Sequence, residues 1–339
     1  MAKDSKQYDS RVEDVYAYYS VEPIFEIRKL GRPSIYGGQR IYDMKILLEL
    51  LKHKYDLVYG RYLAGCFIST CLGYRTILES HDPVWKQSSK VKSAILDRTL
   101  TSKALCGLVV ISEELRKLYV ERSVKALNII VAHDGADFPH TQERINLAGR
   151  SGLLQVGYTG HLYKGKGMEI IEQLAPLLED VDFHVVGGLE PDICYWEERI
   201  KCSNVFFHGF VEPRLISTYI NAFDVCLLPI QRKVFTPSQK SQDSAKMRNI
   251  AGFTSPLKLF EYMAHGKAIV ASDLPVIREV LNKDIAMLVD PEDIKGWVGA
   301  IDALRDKRLR AEISAKALRY FIENYSWEQR ARTIIDLLS

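Results

Sequence analysis

The chain has 339 residues, more than one ordinary core accommodates and enough for two domains of about 150 residues each. A composition of 47% hydrophobic and 26% charged residues with 12 prolines excludes a disordered, collagen-like or coiled-coil protein. The net charge is only +3 and the four tryptophans and 18 tyrosines are dispersed, so no aromatic-plus-basic nucleic-acid face is indicated.

The charge is unevenly shared: residues 1–150 carry 23 Lys+Arg against 18 Asp+Glu, the remainder 23 against 25. That basic bias is scattered and reads first as solvated surface, while leaving open peripheral contact with an anionic membrane. The start, Met1 to Gln7, lacks a signal-peptide core, and no run approaches the roughly 20 apolar residues of a membrane span, so a cytoplasmic protein is expected. Cys66, Cys71, Cys106, Cys194, Cys202 and Cys226 show no Cys-x-x-Cys spacing and read as small buried hydrophobes in a reducing compartment.

Short β-branched runs alternate with longer amphipathic segments, the pattern of βαβ units building parallel sheets. The first half gives strands near Ile24 to Leu30, Leu57 to Gly60, Thr76 to Ser80, Gly107 to Ile111 and Ile129 to Val131. Helices fall around 41–53, 62–72, 90–103 and 112–121, the last started by Ser112, whose oxygen can accept an orphan amide. The polar stretch Pro139 to Gly152 reads as the inter-domain linker. A second series then gives strands at Leu153 to Tyr158, Asp182 to Val186, Val205 to Phe207, Val225 to Leu228, Ala268 to Ala271 and Met287 to Val289. The tail from Asp293 to Leu338 is helical, and residues 231–252, rich in Ser, Gln and Lys, form a long loop of the kind that is usually functional. These divide the chain into 1–145, 151–318 and a C-terminal helix, 319–339, returning towards the first domain.

Two stretches carry chemistry. Gly157 to Gly167, with Gly160, His161, Lys164, Gly165 and Lys166, lies between the first strand of the second half and the next helix. Glycines let backbone approach a ligand, first-turn amides favour an anion and the lysines add charge, so the turn suits a diphosphate or serves plain packing; it is not a Walker loop. The second stretch runs from Thr254 to Asp273. Ser255 as cap with Pro256 at the first helical position starts a helix, and Lys258 and Glu261, three apart, share one side of it. They form either a surface ion pair or part of a site in which the helix end grips a phosphate and Glu261 accepts ribose hydroxyls. His53, His140, His184, His208 and His265 read as structural or surface residues, and nothing clusters at metal-ligand spacing. His81, between Ser80 and Asp82 at a strand end, is by itself more often a structural hydrogen-bonder.

Taken in order, Gly160 to Gly167, Ser255 to Ala271 and the Asp134-Gly135-Ala136-Asp137 turn resemble glycosyltransferase family 4, retaining enzymes of the GT-B fold. The resemblance implies two Rossmann-like parallel-sheet domains facing across a cleft, and a metal-independent transferase using a UDP- or GDP-linked sugar with no other cofactor. It implies that Lys166 contacts the donor diphosphate, His161 stands where the family has an arginine, Glu261 binds the ribose, and amides around Pro256, Leu257 and Lys258 cradle phosphate. Gly187 and Gly188 match a turn near the base, and His81 matches the histidine facing acceptor and transferred sugar. The acceptor would be a saccharide or lipid-linked hydroxyl, as in cell-envelope polysaccharide synthesis on the inner membrane face.

Two departures stand out. Phe253 occupies the place of the first glutamate of the family's Glu-x7-Glu segment, and the chain lacks the opening strand, glycine loop and helix. A strand missing from the sheet interior would expose two neighbours' edges, so a longer natural product, a rearranged segment or partner filling the gap, or a compromised first half is expected. The alternatives to a transferase are an idle nucleotide-sugar-binding or scaffold subunit and a GT-B nucleotide-sugar epimerase.

Overall fold

The computed structural model describes residues 14–19, 21–87, 89–122, 128–236 and 248–336. The first unit contains α1 (Val15–Tyr19), α2 (Gly38–Lys52), β1 (Val58–Gly60), α3 (Leu63–Cys71), β2 (Thr76–Ser80), α4 (Lys90–Leu100), β3 (Leu105–Val110), α5 (Glu113–Glu121) and β4 (Ile129–Val131). Its strands pair in parallel in the order β1-β2-β3-β4. All five residues of β2 are buried, as helix-covered parallel strands require. Leu78, Leu108 and Val110 point to one face of this sheet and Ile77 and Val109 to the other, following strand alternation.

The second unit contains β5 (Leu154–Thr159), α6 (Met168–Leu174), β6 (Val181–Val186), α7 (Glu190–Arg199), β7 (Val205–Gly209), α8 (Pro213–Ala222) and β8 (Val225–Leu228). It continues through the short pair β9 (Phe235–Thr236) and β10 (Arg248–Asn249), then α9 (Leu257–Ala264), β11 (Ala268–Ser272), α10 (Pro275–Arg278), β12 (Met287–Val289) and α11 (Ile294–Ala303). Six parallel strands follow the order β12-β11-β8-β5-β6-β7. The order reverses beside β5, the kind of point at which open α/β sheets leave a crevice outside the strand ends. Much of the predicted 231–252 loop, residues 237–247, lies outside the described residues; its described ends form the antiparallel β9–β10 pair. The polar start, Met1 to Arg11, lies outside them as well.

After α12 (Lys307–Asn324) the chain turns at Tyr325 and Ser326 into α13 (Trp327–Ile335), which crosses back to the first unit. Ser326 pairs with Ala136, and Ile334 packs with Ile77, Val109 and Ala132 on the outer face of the first sheet. The 139–152 stretch has no helix or strand; Arg150 anchors it, donating its backbone N–H and guanidinium to the buried Asp182 carboxylate at 2.6–3.0 Å.

Three expectations are corrected. Ile24 to Leu30 is not a strand: Ile24 is 82% exposed, and among the described residues no neighbouring strand supplies hydrogen-bond partners. The first sheet has no interior gap, because its strands pair consecutively; among the described residues none precedes β1, which is an edge strand, and α3 packs against α2. That helix shows solvent an apolar stripe of Ile41, Met44, Leu48 and Leu51, at helical spacing, while Tyr42 and Leu50 face inward. Finally, only Cys66 and Cys226 are buried, whereas Cys71 and Cys194 are exposed; all six thiols are free.

Candidate active site

The glycine turn after β5 is shaped by backbone that side chains disfavour: Gly160, Gly165 and Gly167 have φ of 130°, 87° and 120°. A Cβ on Gly187, after β6, would lie 2.4 Å from the Gly160 carbonyl oxygen, so the two turns are pressed together. Gly160 N–H donates to the Val186 carbonyl at 2.8 Å, and Gly187 N–H to that of Gly209 at 2.7 Å. Within the turn, Gly165 N–H donates to the Glu169 carboxylate at 2.8 Å.

The start of α9 meets this turn. Lys258 places its ammonium 3.6 Å from the centre of the Tyr158 ring and 3.2 Å from where a Gly160 Cβ would be. Its Nζ is buried and has no hydrogen-bond partner among the described residues. Burial, reinforced by the Lys166 charge, pushes its pKa well below the usual lysine value, and Glu261 only partly opposes this. Burial likewise lowers the Lys166 pKa; its Nζ lies 5.4 Å from the Tyr163 ring. Glu261 has its pKa raised by burial, against the pull of Lys258. The surface ion pair is thus ruled out. Deeper in the sheet, Tyr262 of α9 accepts the Thr159 N–H at 2.9 Å, locking helix to strand.

His161, solvent-exposed overall, stacks on Tyr163 at 5.5 Å; partial desolvation of its ring and the nearby Lys166 and Lys258 push its pKa below the ordinary imidazole value. Lys164 of the same turn is exposed. The turn, Gly187, Lys166, Lys258 and the first residues of α9 are therefore together, with Glu261 one turn along that helix.

Ser255 does not cap α9, which begins at Leu257 with Pro256 in the cap position and no side-chain cap. Its hydroxyl instead accepts the Asp134 N–H of the first unit at 3.0 Å. Phe253 packs in the first unit's core with Leu108, Val110 and Tyr119, and its carbonyl accepts the Ser112 hydroxyl at 3.1 Å. Glu279, beyond α10, accepts the Glu113 and Glu114 N–H groups at 2.6 and 3.0 Å and contacts His133 Nε2 at 2.8 Å. A carboxylate from the second unit thus caps α5 of the first, a favourable charge for a helix N-terminus.

On the first-unit side, His81 follows the end of β2, and its Nε2 bonds to the Glu79 carboxylate. Glu79 also meets Arg330 of α13 at 3.2 Å. Arg330 donates to the carbonyls of His133 at 2.9 Å and Ala132 at 3.3 Å. Burial pushes the Glu79 carboxyl up, but the His81 hydrogen bond and the Arg330 charge outweigh it and leave its pKa lowered. Asp134 is 8% exposed and has its pKa raised by burial despite the neighbouring His81, Arg330 and Arg61 side chains. Arg61, Leu78, Glu79, His81 and Tyr119 border a cavity of about 130 Å³.

Sequence reasoning missed Glu79, Glu279 and Arg330, and gave Asp134 only as part of the turn that carries the resemblance. Glu79 was recoverable, because residues two apart on a strand point the same way as His81; Arg330, nearly 250 residues on, carried no local signal. His184, by contrast, bonds to His208 at 3.0 Å and to the Gln155 side chain at 2.6 Å, and burial takes its pKa to about 4, a structural role. A separate cavity of about 680 Å³ lies at the opposite strand ends, where Arg150, Arg305 and Arg310 are already paired with Asp182, Asp180 and Asp224. No group of three or more metal-binding side chains occurs among the described residues, and none of their helices is long and apolar enough to cross a membrane.

Residues 154–307 match the family Glycosyl transferases group 1. Over 168 residues the chain is 28% identical to a phosphatidyl-myo-inositol mannosyltransferase of Mycolicibacterium smegmatis, covering 48% of this chain and 38% of that protein. The matched stretches span only about a third of the curated relatives' lengths, 30% and 38%. Among solved structures, sucrose-phosphate synthase from Thermosynechococcus elongatus superposes with a TM-score of 0.69 at 18% identity, covering 94% of this chain and 80% of that one. HepE of Anabaena, solved with UDP and glucose, gives 0.68 at 17%, covering 92% and 85%. These likenesses establish the two-domain parallel α/β fold.

Proposed function

We propose, from the match of residues 154–307 to the family Glycosyl transferases group 1 and from the two-domain parallel α/β fold, that the protein is a retaining glycosyltransferase. It moves a sugar from a UDP- or GDP-linked donor to a hydroxyl of a saccharide or lipid-linked acceptor. One observation carries this reading: Lys258 Nζ is buried without a partner beside Lys166 and the Gly160 turn. Two cationic side chains crowded together with no paired carboxylate suit a ligand that brings two negative phosphates. The HepE complex with UDP and the lipid in the name of the mannosyltransferase support the donor and acceptor classes.

In this reading the nucleotide lies over the ends of β5 and β6, with Glu261 receiving ribose hydroxyls and the Gly187 turn near the base. The bond from the sugar's anomeric carbon to the β-phosphate oxygen breaks as the bond to the acceptor oxygen forms on the same face. The departing phosphate oxygen takes the acceptor's proton. Lys166, Lys258 and the free backbone amides at the start of α9 stabilise the charge developing on the diphosphate. The acceptor enters from the first unit, where His81 faces it. Glu279, Ser255 and Phe253 hold the two units together around the reaction and help exclude water.

Lys166→Ala tests the phosphate assignment. Calorimetric titration with UDP and GDP is expected to show affinity lowered by about 1.5–3 kcal/mol, roughly 10- to 150-fold, the scale of a charge-assisted hydrogen bond. Unchanged affinity for whichever nucleotide binds the wild type removes the assignment.

A further inference from the structure

Around His81 the first unit holds two charged side chains, Glu79 and Arg330, to which the family resemblance gives no role. Glu79 sits at the end of β2 with its side chain 6% exposed, and its two oxygens have different partners. One bonds to His81 Nε2, the other to Arg330, whose guanidinium is pinned by the Ala132 and His133 carbonyls. The last helix of the chain thus reaches across to fix a carboxylate, and that carboxylate in turn fixes a histidine.

An ionised carboxylate can only accept hydrogen bonds, so the imidazole nitrogen facing it carries the proton, and in the neutral ring the other nitrogen keeps its lone pair. From this geometry we propose that Glu79 is a positioning residue: held by Arg330, it keeps His81 in the Nε2–H form, leaving Nδ1 as the acceptor for a substrate hydroxyl. The proposal deepens the transferase reading and rests on it for what His81 meets, but not for the tautomer itself.

The surroundings agree. Four charged groups act on this corner: Glu79 from β2, Arg61 after β1, Asp134 after β4 and Arg330 from α13. The His81 hydrogen bond and Arg330 lower the Glu79 pKa while burial raises that of Asp134, so the two carboxylates near His81 are shifted in opposite directions. Such divergence is how sites assign separate acid and acceptor roles. An apolar Glu79 partner, or no partner, would leave the imidazole free to exchange tautomers and to rotate about its ring torsion.

The experiment is nitrogen NMR of the full chain labelled in histidine, with His81 assigned from the spectrum of His81→Gln, recorded at pH 8 without nucleotide. The wild type is expected to show His81 as a single tautomer, Nε2 protonated and Nδ1 bare. Glu79→Gln should lose that single-tautomer pattern, since an amide offers both an acceptor and a donor. A wild-type His81 protonated at Nδ1, or an unchanged pattern in Glu79→Gln, overturns the proposal; should Glu79→Gln fail to fold, the wild-type spectrum decides alone. Adding UDP and then GDP to the same sample keeps the two readings apart. The wrong tautomer with nucleotide still bound sinks the Glu79 assignment only, whereas the expected tautomer with neither nucleotide bound upholds it and sinks the transferase reading.

Discussion

Replacing Lys258 by methionine separates what this residue does for the fold from what it does for the site. Its Nζ is buried and unpartnered among the described residues, and burial lowers its pKa by disfavouring the charged form. Leaving such a polar group unsatisfied costs about 1–3 kcal/mol. Contact with the Tyr158 ring at 3.6 Å offsets part of that cost, by about 0.5–2 kcal/mol in the charged form. Methionine keeps the linear shape and the contact with the ring and removes the unsatisfied atom, so Lys258→Met should be more stable by about 1 kcal/mol. For a domain of this size that raises Tm by about 2–4 °C. Saturating UDP, at about 100 times Kd, should stabilise the wild type by about 2.7 kcal/mol and the variant far less, reversing their order. Thermal scans of both proteins with and without UDP read the crossover. A variant that melts lower without nucleotide, or gains as much from UDP as the wild type, refutes the reasoning.

Because the Lys258 pKa is depressed in the free protein and a diphosphate would raise it, binding should take up a proton, and UDP affinity should fall as pH rises above the depressed value; titrations in buffers of different ionisation enthalpy measure the uptake. Phe253→Glu, which would restore the family's glutamate, should instead destabilise by more than about 3 kcal/mol in urea unfolding, because position 253 is buried against Leu108, Val110 and Tyr119. Glu279→Gln should cost about 1–2 kcal/mol in the same assay, since it weakens both the α5 cap and the His133 contact. The folded-state pKa of Glu79 is lowered, so its contribution is present above the ordinary carboxyl value near 4.3 and is lost as pH falls through the folded value; acid unfolding of Glu79→Gln should lack that component.

Much of the second unit was legible because its strands are short continuous apolar runs between polar or turn residues: β8 and β12 fall where Val225 to Leu228 and Met287 to Val289 were read. The Gly160 turn was legible as well, since positive-φ backbone demands glycine. Ile24 to Leu30 misled because a β-branched run becomes a strand only when a neighbour pairs with it, and none does. Ser255 looked like a cap by local rules, but the Asp134 amide, 121 residues away, took its oxygen. Phe253 could be read only as a lost glutamate, because its role, bridging to the first unit's core, depends on packing that no local pattern encodes.

The account stands most directly on where a nucleotide diphosphate binds, and a crystal structure of the chain with UDP or GDP measures that. It should place the β-phosphate within hydrogen-bonding reach of Lys166 and Lys258 Nζ, against the Gly160 turn. Density at the Arg150 and Arg310 cavity instead, or a lysine pair untouched by bound nucleotide, would contradict it.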